Sequence, residues 1–105
     1  MILRVWLDMD TANAIKERIA EESPETLLAD GFDSALIGTV RQFSKTLALY
    51  DYDKCLEVLI LRDGMLHEEA VEFMEFNVVG AWMGEYTPVF SQPSGYTDSL
   101  FYADE

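Results

Sequence analysis

Four carboxylates stand close together in the second half of the chain, at Glu68, Glu69, Glu72 and Glu75. On a helix, Glu68, Glu72 and Glu75 fall at i, i+4 and i+7 and share one face. A rise of about 1.5 Å per residue sets them roughly 4.5–6 Å apart along the axis. Duplex DNA offers a phosphate about every 3.4 Å of each strand, so the row is a sparser version of the same charge pattern. The chemistry it suits is recognition, as an anionic face that imitates nucleic acid for a basic partner. A solvated face that only keeps the chain soluble has the same composition. Like charges at i, i+4 cost about 0.2–0.5 kcal/mol per pair. A purely structural face would often include a Lys, and this one has none.

The other reactive residue types give less. Asp30, Asp33, Asp51, Asp53 and Asp63 are ligand types for Mg²⁺ or Ca²⁺, but the EF-hand spacing is absent. Tyr50-Asp51-Tyr52-Asp53 reads more simply as a helix cap with a partner for the helix dipole. His67, the only histidine, lies beside Glu68 and is of a residue type that can serve as an acid or base. It has no Ser or Cys at a motif spacing to act on. Cys55, the only cysteine, falls on an apolar helix face and reads as a small buried hydrophobe. One cysteine allows no intramolecular disulfide and fits a reducing compartment. One Cys and one His make a zinc site untenable. No nucleophile–base pair or phosphate loop is present, so no enzymatic activity, metal or cofactor is expected. Asn77 falls on an inward helix stripe, where it needs a partner in the loop at Asp30-Gly31 or near Thr87. Trp82, Met83, Tyr86 and Phe90 form an aromatic, Met-rich group suited either to core packing or to an interface, the latter implying a homodimer.

The balance of charge narrows the partners. The chain has 105 residues with 7 Lys+Arg against 20 Asp+Glu, a formal net charge of −13. Residues 1–62 hold 11 acids and all 7 bases, a net of −4, whereas residues 63–105 hold 9 acids and no base, a net of −9. Such a surface repels the phosphate backbone, so direct nucleic-acid binding is not expected. Anionic membranes are disfavoured in the same way. No apolar run approaches the length of a membrane span, and the start of the chain turns acidic too early for a signal peptide. At 50% apolar residues the chain has the material for one core, and its length suits a single domain over 1–105.

The elements that must carry these residues follow from periodicity. Residues 1–8 alternate loosely and suit a strand with Leu3, Val5 and Leu7 on one side. Thr11 can cap a helix through Glu22, with Ala14, Ile15 and Ile19 inward. Ser23-Pro24-Glu25 restarts a short helix that Asp30-Gly31 ends. Two apolar runs, residues 35–40 and 46–50, form a hairpin across the polar linker 41–45. Asp51 caps a helix from Tyr52 to Arg62, with Cys55, Leu56, Leu59 and Ile60 inward, and Gly64 stops it. A second helix, from about Leu66 to Val79, turns Ala70, Phe73, Met74, Asn77 and Ala81 inward. Residues 87–90 suit an edge strand because Pro88 cannot donate to a central ladder. Residues 91–105 read as a tail or a segment draped over the core. The fold class is α+β: a small antiparallel sheet packed against two main helices, plus an N-terminal helix.

One likeness adds a setting. Asp30-Gly31-Phe32-Asp33, Tyr50-Asp51-Tyr52-Asp53-Lys54-Cys55, Asp63-Gly64-Met65, Glu68-Glu69-Ala70, Phe76-Asn77-Val78-Val79-Gly80-Ala81-Trp82 and Gly84-Glu85-Tyr86-Thr87-Pro88-Val89-Phe90 together resemble a group of small acidic proteins of tailed phages. That group is mostly of unknown function. At Leu66 the chain departs from the pattern, which has a Ser or Thr helix cap there, and residues 1–29 carry none of the likeness. The resemblance implies a phage or prophage origin and the cytoplasm of an infected host cell, and it implies no chemistry. Combined with the charge, it gives the expected function: an accessory protein that binds a basic protein of host or phage, as a nucleic-acid mimic or anti-defence inhibitor. The alternative is a homo-oligomeric structural or assembly protein without catalytic activity.

Overall fold

A computed structural model describes residues 2–92, with the backbone alone for residues 2–8. The first element is a single 21-residue helix, α1 (Ile2–Glu22). It replaces both the strand expected over residues 1–8 and the helix start expected at Thr11. No Gly or Pro interrupts residues 2–22, and good helix formers dominate, so helical propensity overrides the loose alternation. Thr11 is exposed in mid-helix and caps nothing. The inward stripe is Ala12, Ile15 and Ile19, at i, i+3 and i+7; Ala14, expected inward, faces solvent.

α1 ends where Pro24 cannot continue it. Ser23-Pro24-Glu25 forms a turn, closed by Thr26 N donating to Ser23 O at 3.0 Å, and not a new helix. The Ser23 side chain is committed elsewhere. Thr26 Oγ1 donates to the Thr46 carbonyl at 2.6 Å, so Ser23 Oγ is the donor of the 2.6 Å bond between the two hydroxyls. Leu27 N then donates to Tyr86 O (3.1 Å) and Ala29 N to the Tyr50 hydroxyl (2.8 Å). Residues 23–30 are thus an irregular strap pinned by tertiary bonds. A 3₁₀ turn, Asp33–Ala35, follows and is tied to α1 by a 2.9 Å ion pair between Lys16 and Asp33.

The hairpin is β1 (Leu36–Gln42) and β2 (Lys45–Tyr50), paired antiparallel. Its strands are longer than expected, and the turn shrinks to Phe43-Ser44. Phe43 takes φ +57°, positive at the first central position as in a type II′ turn. A bulge at Ile37 shifts the register between Leu36↔Tyr50 and Gly38↔Leu49. β3 (Val89–Phe90) adds to the free side of β2 in parallel, giving the order β1-β2-β3. It starts just after Pro88 and lies at the sheet edge, as a Pro-flanked strand should.

α2 (Tyr52–Asp63) begins as the sequence predicts, with Asp51 Oδ1 accepting from Lys54 N at 3.1 Å. It ends at Gly64, in the left-handed conformation with φ 72°. Tyr52, Cys55, Leu56 and Leu59 are its buried face, and Ile60 packs against them. α3 (His67–Phe73) folds back beside it. The α-helical turns then widen into a π segment, Met74–Val79. That change of pitch corrects one expectation. Ala70 and Met74 are fully buried and Phe73 packs against the core, but Asn77 is exposed. A π turn holds more than 3.6 residues, so the α-helical phase that turns Ala70 and Met74 inward no longer applies at position 77. The architecture is α+β, with Tyr50, Leu36, Leu59, Met74 and Cys55 at the centre of its core. The tail expected over 91–105 lies, from residue 93 on, outside the described residues.

Candidate functional site

Glu68, Glu69 and Glu72 project from α3 and Glu75 from the first turn of the π segment, and all four are exposed. They are not equivalent. Glu69 Oε1 accepts from Leu66 N at 2.8 Å. This is the reciprocal half of a capping box and supplies the helix start that Leu66, lacking a side-chain acceptor, cannot. Glu75 Oε2 accepts from the Tyr52 hydroxyl at 2.8 Å, which ties the π segment to the start of α2. Glu68 and Glu72, one helical turn apart, make no such bond. The carboxylates of the row without such bonds are therefore Glu68 and Glu72, whereas Glu69 and Glu75 are held in place.

The aromatic group divides as well. Trp82 is 73% and Met83 64% exposed. Phe90 is half-buried and stacks on Tyr50 with ring centroids 5.5 Å apart, so it belongs to the sheet. Tyr86 is half-buried, and its carbonyl anchors the strap at Leu27. Two large apolar residues extend the exposed group beyond what the sequence singled out: Phe76, 76% exposed, and Leu66. Phe76 was legible, since it lies four residues past Glu72 and so on the acidic face in α-helical phase. Leu66 marked itself by standing at a cap position.

Two clefts lie in this end of the molecule. One, of about 280 Å³, runs between the strap and the segment from Asn77 to Phe90. The other, of about 230 Å³, is lined by Glu69, Glu72, Phe73 and Phe76, and Asn77 borders both. Asn77 lines the first cleft along with Asp30 and Thr87, and no hydrogen bond joins it to either. The first cleft could not be read from the sequence, because the strap looked like a helix. A larger cavity, about 470 Å³, lies elsewhere, between Met9 of α1, the 3₁₀ turn and α2, with Lys54, Glu57 and Arg62 in its lining.

Three of the five aspartates take separate structural roles. Asp51 caps α2, Asp33 pairs with Lys16, and Asp63 receives two bonds from Arg62 at 2.9 and 3.0 Å. The Arg62 bonds hold the Asp63 carboxyl below its ordinary range. The same guanidinium donates to Gly31 O at 2.6 Å, closing the Asp30-Gly31 turn against α2. Among the described residues no three His, Cys, Asp or Glu side chains gather where a metal could be held. His67 is exposed on the first turn of α3. Cys55 is buried, and burial, with a smaller push from Asp51, raises its thiol to about 12. A thiol so raised is not a nucleophile at neutral pH. Burial likewise raises Tyr50 to about 12; it raises Tyr52 to about 12 together with the bond donated to Glu75. No helix among the described residues is long and apolar enough to cross a membrane.

Comparison with known proteins found no matching family model, no matching curated protein and no matching solved structure.

Proposed function

We propose that this chain works by binding a basic protein partner through the α3 face, without catalysis of its own. The observation that carries the reading is the exposed Glu68–Glu72 pair in a stretch, residues 63–105, that contains no Lys or Arg. Exposed Phe76, which shares a cleft with Glu72, and exposed Trp82 and Met83 further along the chain give apolar area to add to the charge. Steering by opposite charge and burial of aromatic and Met side chains are the two ingredients of a specific interface. The resemblance to small tailed-phage proteins supports the cytoplasm of an infected cell as the setting. There the partner is a basic host or phage protein, such as a defence or DNA-handling protein that an anionic row can occupy in place of nucleic acid.

The test is capture from host lysate at low and high salt with wild type and with E68K/E72K. Those two carboxylates hold no structural bond, so the reversal should leave the fold intact. Basic proteins retained by wild type at low salt should be lost both at high salt and on reversal. A folded variant with an unchanged set of captured proteins would remove the reading.

A second reading rests on the exposure of Trp82 and Met83: a homodimer in an assembly role, closed on this patch. Sedimentation at micromolar concentration separates it from the first. A clean 12.0 kDa species leaves the hetero-partner alone.

A further inference from the structure

We infer that the cleft between the strap and the π segment seats a large apolar side chain of the same basic partner, so that the recognised element is a cationic amphipathic segment. This rests on the binding reading above and adds the second half of the recognition code. The cleft measures about 280 Å³, just below the roughly 300–1,000 Å³ of small-molecule sites. It has room for an anchoring side chain, not for a cofactor. Its walls are apolar, formed by Leu28, Phe32, Val78, Ala81, Met83 and Phe90. Polar groups occur at Asp30, Asn77 and Thr87. Across Asn77 the neighbouring cleft sets two carboxylates, Glu69 and Glu72, beside two rings, Phe73 and Phe76. Carboxylates and aromatic faces together are what a guanidinium or ammonium seeks. One side of Asn77 therefore suits an apolar anchor and the other a cation.

Charge selects this occupant over two others. A second copy closed two-fold on this patch would bring together two faces that both carry Glu69 and Glu72 and, over residues 63–105, no Lys or Arg. The chain's own residues 93–105 carry Asp98, Asp104 and Glu105 and no base, so they would meet Glu69 and Glu72 with like charge. A Lys- or Arg-flanked apolar residue meets complementary chemistry in both clefts.

The experiment titrates full-length, ¹⁵N-labelled protein with an amphipathic Leu/Lys peptide and, separately, with an all-Lys peptide of the same length. The Leu/Lys peptide should shift the amides of Leu28, Val78, Ala81 and Met83 as well as those of Glu69 and Glu72. It should also bind about tenfold more tightly than the all-Lys peptide. Filling the cleft with A81F should remove that advantage and leave all-Lys binding unchanged. M83A, at an exposed position that tolerates truncation, should weaken only the Leu/Lys peptide and covers the case in which A81F misfolds. Equal affinities, with shifts confined to the glutamates, would overturn the cleft assignment and leave the acidic-face reading standing. Leu/Lys binding that ignores both E68K/E72K and salt would instead overturn the reading on which it rests. Cleft amides that move on protein dilution, or on deletion of residues 93–105, without responding to peptide would assign the cleft to a second copy or to the chain's own end and overturn the inference.

Discussion

Of the twelve residues of α2, Tyr52, Cys55, Leu56 and Leu59 are buried; of the six in the π segment, only Met74 is. Both stretches have helical periodicity in their apolar residues, and both contribute to the same core. They differ in what holds them. α2 has a cap at Asp51, a left-handed stop at Gly64 and a four-residue apolar face at ideal spacing. The π segment has no side-chain cap, follows directly from α3 and turns Phe76, Asn77 and Val79 outward. Local signals that agree with one another make a core element. Where the pitch changes, apolar residues are released to the surface, and π segments often mark functional positions.

The sharpest contrast is between two truncations. Leu59→Ala in α2 should cost about 2–5 kcal/mol, the range for a buried leucine that leaves a cavity. Phe76→Ala in the π segment should change stability by less than about 0.5 kcal/mol, because the ring is already in water. Denaturant titration reads both, and a comparable cost at the two sites would break the distinction.

Gly80→Ala should come next. A Cβ there would lie 2.6 Å from the Glu75 carbonyl oxygen, which is backbone and cannot swing aside. The π segment must open or shift, at a cost of about 1–3 kcal/mol. Amide exchange should rise over residues 74–80 and stay unchanged in α2.

Alkaline titration probes the other half. Tyr50, Tyr52 and Cys55 are all raised to about 12 in the native chain. Their ordinary values are near 10 for the phenols and 9 for the thiol, so the unfolded chain releases these protons first. Stability is fully present below about pH 9 and falls as pH rises toward about 12, since the native state then binds more protons. Melting temperature followed from pH 8 upward checks the sign; a flat profile through this window would mean these groups are not buried as described. Tyr52→Phe, which removes only the bond to Glu75, should cost about 0.5–1.5 kcal/mol and soften that pH dependence.

The same contrast explains which parts of the fold could be read in advance. The hairpin, α2 with both its ends, and the Pro-flanked edge strand are specified by residues within a few positions of one another. The N-terminal helix was legible from Thr11 to Glu22, but its first turns were not, because the alternation of Leu3, Val5 and Leu7 suggests a strand, although nothing between Ile2 and Glu22 breaks a helix. The strap was missed because Ser23 and Pro24 form a good local helix start. The bonds that override it come from Thr46, Tyr50 and Tyr86, distant in sequence. At the site, the exposure of Glu68, Glu69, Glu72 and Glu75 followed from their type and spacing. The outward turn of Asn77 did not, because an α-helical period carries no sign of a π turn. Nor could two clefts meeting at Asn77 be read before the strap had a place.

The smallest stability effect is expected on the surface proposed for binding. E68K/E72K removes one like-charge pair and replaces it with another, a change of a few tenths of a kcal/mol. Its consequence should lie in association kinetics. The direct measurement is the association rate of the basic protein captured by the wild-type chain, followed against ionic strength for wild type and E68K/E72K. If α3 is the docking face, the wild-type rate falls steeply as the screening length drops from ~10 Å at 0.1 M salt. The variant then starts slower and shows a shallower slope. Identical rates and slopes for the two folded proteins would contradict binding through the acidic face.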